Sequence, residues 1–72
     1  MKRYHKLVFT IDINGQKQKI TRYCNSLYGV EKTCEKVFCT YCLYVNKYFL
    51  PLEHYTLNRK SNNYELWYAN SY

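Results

Sequence analysis

The segment LVFTIDINGQKQKI, residues 7–20, decides the fold of this chain. Its first half alternates apolar and polar residues, which places its four large apolar side chains on one face of a strand. Asn14 and Gly15 come next, and this pair favours a two-residue turn because both central residues of a type I′ turn need a positive φ angle. The segment therefore predicts a β-hairpin whose return strand runs from Gln16 to about Tyr23.

A two-residue turn also predicts the register of this hairpin. Asp12 is expected opposite Lys17, as a cross-strand ion pair on the solvent face, and Phe9 opposite Ile20, as an apolar contact. Lys17 and Lys19 then share one exposed side of the return strand. The first strand and the return strand should thus form one sheet with an apolar face and a basic face.

A helix is predicted from about Gly29 to Phe49, preceded by an N-cap at Asn25 or Ser26. Pro51 restricts the residue before it and is expected to end the helix. Apolar residues recur there at steps of three and four, which is the spacing of one helix face. That face comprises Val30, Cys34, Val37, Phe38, Tyr41, Val45 and Tyr48.

The opposite face of this predicted helix carries lysines together with Cys39 and Leu43. A solvated face does not need these two apolar side chains. They predict a surface that a partner or a second copy of the chain covers.

A second hairpin is predicted after Pro51, with strands at residues 55–59 and 64–68. On the latter strand, Tyr64, Leu66 and Tyr68 are expected to share a face and Trp67 to lie on the other. The chain as a whole, residues 1–72, is then a small single α+β domain of order ββαββ. Its two antiparallel hairpins are expected to pack on one amphipathic helix.

Composition favours a binding protein over a catalyst. The chain has ten tyrosines, three phenylalanines and one tryptophan, with a formal charge of +6. A domain this small buries only about 60% of its unfolded surface, so several rings must lie at the surface beside lysine and arginine. Eight of the eleven lysines and arginines precede residue 37, which suits a polyanion or an acidic protein face.

Catalysis is not expected. His5 and His54 have no carboxylate or nucleophile at a motif spacing, so we interpret both as surface histidines. The five acidic residues form no pair suited to acid–base chemistry.

The four cysteines leave three interpretations open: free thiols, disulfides or a zinc site. Cys39 and Cys42 have the spacing of half a zinc site. Three of the four cysteines fall inside the predicted helix, however, and one straight helix cannot direct all three at one metal. We therefore expect no metal and no cofactor, with Cys34 and Cys42 as small core residues and Cys39 as the reactive thiol.

No apolar run approaches the roughly 20 residues of a membrane span, and no signal peptide is recognisable. We expect a cytoplasmic protein without membrane contact. Lysine, asparagine and tyrosine are abundant beside a single alanine, Ala69, which indicates an AT-rich genome such as that of a phage or mobile element.

Two functions follow from these patterns. The preferred one is a non-enzymatic interaction protein, such as a phage inhibitor that occludes a host protein or nucleoprotein complex. Its surface is expected to include Cys39, Leu43, Trp67 and Tyr68, and a homodimer is an open alternative. The second function is a small module for DNA or RNA, in which Lys17, Lys19 and Arg22 contact phosphates and exposed tyrosines stack on bases.

Overall fold

A computed structural model describes residues 2–45 and 50–69 of this chain. Its helix and strands follow in the order ββαββ, which confirms the predicted α+β fold. The elements are β1 (His5–Ile13), β2 (Gln16–Cys24), α1 (Leu27–Thr40), β3 (Glu53–Asn58) and β4 (Asn63–Ala69). Within the described ranges, no helix is long and apolar enough to cross a membrane.

The four strands form one antiparallel sheet in the order β2-β1-β3-β4. β1 pairs with β2 along its whole length, but with β3 only over residues 5–8. The two hairpins are therefore joined through the first half of β1. Residues 9–20 of the first hairpin continue past this junction as a two-stranded ribbon.

The first turn has the predicted geometry. Asn14 and Gly15 both have positive φ angles, 53° and 86°, and the strands on either side pair in the predicted register. Asp12 lies opposite Lys17, as expected, but the predicted ion pair is wrong. The Asp12 carboxylate instead accepts the backbone N–H of Gly15 at 2.9 Å. Across the described residues, the only ion pair joins Lys32 and Glu35.

Helix α1 begins as predicted, because the Ser26 hydroxyl accepts the backbone N–H of Gly29 at 3.0 Å and caps the helix. Its predicted end at Phe49 is wrong, since the helix stops at Thr40. Residues 41–45 form turns, in which Tyr41 O accepts the N–H groups of Tyr44 and Val45. Residues 46–49 lie outside the described ranges.

The early end of α1 has a local cause. In the sequence TYCLYV, residues 40–45, every residue except Leu43 is aromatic, β-branched or cysteine, and these are weak helix formers. Tyr41 and Val45 still pack against the core although they lie beyond the helix. Their spacing of four residues thus reflects burial in a turn rather than a continuing helix.

The hydrophobic core lies between α1 and the first hairpin. Its main cluster of buried residues comes from β1, β2 and α1: Leu7, Phe9, Ile11, Ile20, Cys24 and Val37. Leu57 of β3 is buried outside this cluster. Gly29 permits the close contact of α1 with β2, because a β-carbon there would lie 3.0 Å from Cys24 Cβ. Phe38, which was predicted on the core face of the helix, is only half-buried.

Strand β4 departs from the predicted alternation. Tyr64 and Leu66 pair with Leu57 and Tyr55, as two residues on a common face do. A register shift follows, and Tyr68 then pairs with His54. The expectation that Tyr68 shares a face with Tyr64 and Leu66 is therefore wrong, because a β-bulge inserts one residue between them.

Candidate functional site

A basic groove lies between α1 and the C-terminal end of β2. Its volume is about 460 Å³. Cys24 and Val37, both buried, contribute to its floor. Its walls carry four cations, which are Arg3, Arg22, Lys32 and Lys36. We call this feature the basic groove.

Backbone contacts of the residues before β1 position the strand side of the groove. The Tyr64 hydroxyl donates to Arg3 O at 2.6 Å, and Asn25 Oδ1 accepts the N–H of Tyr4 at 3.1 Å. Arg3 Nη1 in turn donates to Tyr23 O at 3.1 Å on the edge strand. Because a guanidinium has five N–H donors, most of those on Arg3 stay available to a ligand.

Arg22 belongs to the edge strand β2 and lines the groove together with Arg3. Its Nη1 donates to Thr21 O at 2.9 Å, which holds the side chain along β2. Arg3 and Arg22 also line a second cavity, together with Lys2 and Tyr64. The two arginines therefore border both cavities.

The helix side of the groove is built from residues one turn apart. Lys32 and Lys36 are four positions apart on α1 and so lie on one face. Lys32 Nζ lies 3.4 Å from Glu35 Oε2 and 5.4 Å from the centre of the Tyr28 ring. A hydrogen bond with Tyr28 and the charge of Glu35 raise the pKa of Lys32, so this side chain is cationic throughout the physiological range.

The charged side chains that line the groove are all of one sign. Among the described residues that line it, four are cationic and none is acidic. The neighbouring carboxylate of Glu35 is engaged with Lys32 at the rim. A concave site with cationic walls concentrates the positive potential and favours an anionic ligand.

Tyrosine rings border the groove. Tyr23 lines it and remains 43% exposed, and its ring centre lies 5.8 Å from that of Tyr64. Tyr28, next to the groove residue Gly29, is 66% exposed. The Nζ atoms of Lys2 and Lys6 each lie 5.8 Å from the Tyr64 ring centre. Cations and rings are thus interleaved between Tyr23 on β2 and Tyr64 on β4.

His5 and His54 form a buried pair, so the expectation that both are surface residues is wrong. They are only 5% and 6% exposed, and Nδ1 of His5 lies 2.9 Å from Nε2 of His54. Burial lowers the pKa of His5, and burial together with the neighbouring His5 lowers that of His54. The Trp67 ring lies edge-on against His54 at 4.8 Å. No sequence motif marks this pair, because β1–β3 pairing alone brings the two together.

The cysteines differ from prediction in one position. All four are free thiols. Cys34 is half-buried and packs against the core, but Cys42 is exposed because the helix that was to bury it has already ended. Cys24 is the buried cysteine, and burial raises the pKa of Cys24 and Cys34. Over the described ranges, no group of three or more metal-ligating side chains converges.

The predicted binding residues occupy four separate regions. Arg22 lies in the basic groove, whereas Lys17 and Lys19 lie on the projecting ribbon, opposite Asp12 and Thr10. The exposed residues Cys39 and Leu43 lie near and beyond the end of α1, and Leu43 is in a turn rather than on the helix. Trp67 and Tyr68 are exposed on the opposite edge strand β4.

Sequence reasoning missed the two helix lysines as site residues. Their four-residue spacing was visible, but it also fits an ordinary solvated face. Only the packing of α1 beside the edge strand brings Lys32 and Lys36 to the same cavity as Arg3 and Arg22.

No family model matches this chain, and neither the curated proteins nor the solved structures give a match.

Proposed function

We propose that this chain is a non-catalytic binding module that holds a nucleic acid by its phosphates in the basic groove. The observation that carries the proposal is the convergence of Arg3, Arg22, Lys32 and Lys36 on one cavity, with no acidic side chain among its described lining residues. Phosphate contacts made by lysine and arginine supply most of the affinity of such modules.

The proposal moves the site from the ribbon, where the sequence suggested it, to the groove. Lys17 and Lys19 lie on one strand of a ribbon, and Asp12 is directly opposite Lys17. A carboxylate at that position weakens the local potential. The groove instead combines cations from three segments of the chain, which encloses a phosphate more completely than one strand does.

Two double variants with equal loss of charge test the location. Lys32→Ala with Lys36→Ala removes two groove charges, and Lys17→Ala with Lys19→Ala removes two ribbon charges. We expect the groove pair to weaken binding of a labelled oligonucleotide at least tenfold, measured by fluorescence anisotropy at 50 mM salt. The ribbon pair should change it less than threefold.

The salt dependence provides a second measurement. Four phosphate contacts predict a loss of affinity of about 50- to 150-fold between 50 and 200 mM salt, and the groove variant should reduce the logarithmic slope by about 1.4–1.8. A larger effect from the ribbon pair would place the site on the ribbon. Absence of binding at 50 mM salt would refute the proposal.

A protein partner is the second candidate function, and the exposed edge strand β4 supports it. Leu66, Trp67 and Tyr68 are 55%, 59% and 53% exposed on this strand. Aromatic anchors on an unpaired edge suit the addition of a strand from another protein. The inhibitor of a host protein or nucleoprotein complex that the sequence suggested would use this edge.

The two candidate functions predict that different substitutions abolish binding. If the ligand is a protein held at β4, Trp67→Ala should abolish its capture from a lysate treated with nuclease, with little dependence on salt. Lys32→Ala with Lys36→Ala should then have no effect. The reverse pattern supports the groove.

A further inference from the structure

We infer that the basic groove takes single-stranded nucleic acid, with bases stacked on Tyr23 and Tyr28. This inference rests on the proposed function and names its ligand more narrowly. Three observations carry it: the concave shape of the groove, its length, and the exposed rings at its border.

The shape of the site suits a single strand better than the bases of a duplex. Proteins read a duplex by placing a protruding helix or two-stranded ribbon into one of its grooves. Here the four cations line a cavity between α1 and β2, and therefore lie in a recess. A single phosphate backbone can follow such a recess, as in the positively charged channels of single-strand-binding proteins.

The length of the groove limits the ligand to a short stretch. The helix wall extends from Gly29 to Thr40, which corresponds to about 16 Å at the rise of an α-helix. At about 3.4 Å for each stacked nucleotide, this wall spans at most about five nucleotides. One short strand of nucleic acid is therefore expected to contact all three segments that carry the cations.

Two exposed rings are available to the bases of that strand. Tyr23 lines the groove at the sheet edge, and Tyr28 lies at its N-terminal end beside Gly29. The Tyr28 ring has a cationic neighbour, since Lys32 Nζ lies 5.4 Å from its centre. The Tyr23 ring lies 5.8 Å from that of Tyr64, which has Lys2 and Lys6 beside it, and the Tyr23 backbone carbonyl accepts from Arg3. A ring beside a phosphate-binding cation is the arrangement that lets a base stack while its phosphate is held.

The chain also has a second basic surface, which a duplex would contact instead of the groove. Its protruding element is the end of the ribbon, where residues 14–19 are exposed and Lys17 and Lys19 share one face. Recognition of a duplex would depend on these lysines. Recognition of a single strand would depend on the groove lysines and the two rings.

The test compares three probes at 50 mM salt: a labelled 15-mer of thymidine, a 15-base-pair duplex, and inorganic polyphosphate as a competitor. We expect the single strand to bind at least tenfold more tightly than the duplex, and polyphosphate to compete poorly at equal charge. Tyr23→Ala and Tyr28→Ala should each weaken single-strand binding about tenfold. The matched Tyr23→Phe and Tyr28→Phe variants, which keep the ring, should bind within twofold of the unaltered chain.

If either alanine variant fails to fold, photocrosslinking of the unaltered chain still tests the inference. A 15-mer containing 5-iodouracil should crosslink to Tyr23 or Tyr28, as mapped by mass spectrometry. Crosslinks confined to other regions, a duplex that binds equally well, or polyphosphate that competes fully would each overturn the inference while leaving anion binding in the groove intact. If none of the three probes binds, the proposed function fails, and this inference fails with it.

Discussion

The two hairpins of this sheet are held in different ways. The first hairpin packs with α1 around a buried apolar cluster that includes Leu7 and Phe9, both 0% exposed. The second hairpin adds no residue to that cluster, and no residue of β4 is buried. It is attached through four paired positions of β1, through the contact of His54 with His5, and through hydrogen bonds to the residues before β1.

This difference indicates that stability is concentrated in the first hairpin and α1. Regions with few buried apolar contacts open at a lower free energy than a core does. The basic groove belongs to the stable region, whereas the exposed edge with Trp67 belongs to the weakly held one. The two candidate binding surfaces therefore rest on parts of the molecule with different rigidity.

Leucine-to-alanine substitution in each hairpin tests this comparison most strongly. Leu7→Ala removes a fully buried side chain, and we expect it to lower the free energy of unfolding by about 2–5 kcal/mol. Leu66→Ala removes a side chain that is 55% exposed, and its effect should stay below about 1 kcal/mol. Chemical denaturation followed by circular dichroism measures both. Equal losses would mean that the second hairpin shares the core.

Valine substitution in the two turns is expected to have a smaller effect. Gly15 and Asn62 have φ angles of 86° and 58°, where a β-branched residue is strained by about 1–2 kcal/mol. Gly15→Val should lower global stability by that amount. Asn62→Val should lower it less, because the second hairpin can detach while the core remains folded.

Hydrogen exchange separates these two turn variants. In Asn62→Val, amide protection should fall in β3 and β4 and persist in β1 and β2. Loss of protection throughout the sheet would contradict the proposed gradient of stability. Gly15→Asn is the matched control in the first hairpin, since asparagine tolerates a positive φ angle.

The histidine pair predicts the smallest change, a loosening of the second hairpin in acid. The pKa values of His5 and His54 are lowered from 6.5, so the folded chain holds both in the neutral form. Their contribution to stability is complete above pH 6.5 and declines as the pH falls below it, because the unfolded chain then binds more protons. Emission of Trp67, the only tryptophan, should report this transition through its contact with His54.

Replacing both histidines by glutamine provides the control for this titration. Glutamine retains a donor and an acceptor but does not ionise in this range. The double variant should show a flat Trp67 emission between pH 5 and 7. A transition that survives in the variant would assign the acid sensitivity to other groups.

Local signals explain which parts of the fold could be predicted. The register of the first hairpin depends on Asn14 and Gly15 alone, and its prediction was confirmed. The end of α1 was predicted wrongly because Tyr41 and Val45 keep a helical spacing while packing from a turn. A pattern of burial does not by itself distinguish these two conformations.

The candidate site depends on contacts between distant segments, which a single sequence does not reveal. His5 and His54 are 49 positions apart and meet only because β1 pairs with β3. In the same way, Arg22 could be proposed from its basic strand, but its grouping with Lys32 and Lys36 requires the docking of α1 beside β2. Residue type suggested the chemistry, and tertiary packing determined the partners.

The close fit of Gly29 over Cys24 also gives the groove a chemical reporter. Cys39 and Cys42 are exposed, whereas Cys24 is buried beneath the helix, 3.0 Å from where a side chain on Gly29 would begin. An alkylating reagent can therefore reach Cys24 only through the basic groove or when α1 lifts away from β2. The rate at which this thiol is labelled measures access to the floor of the groove, and a ligand that fills the groove must slow that rate.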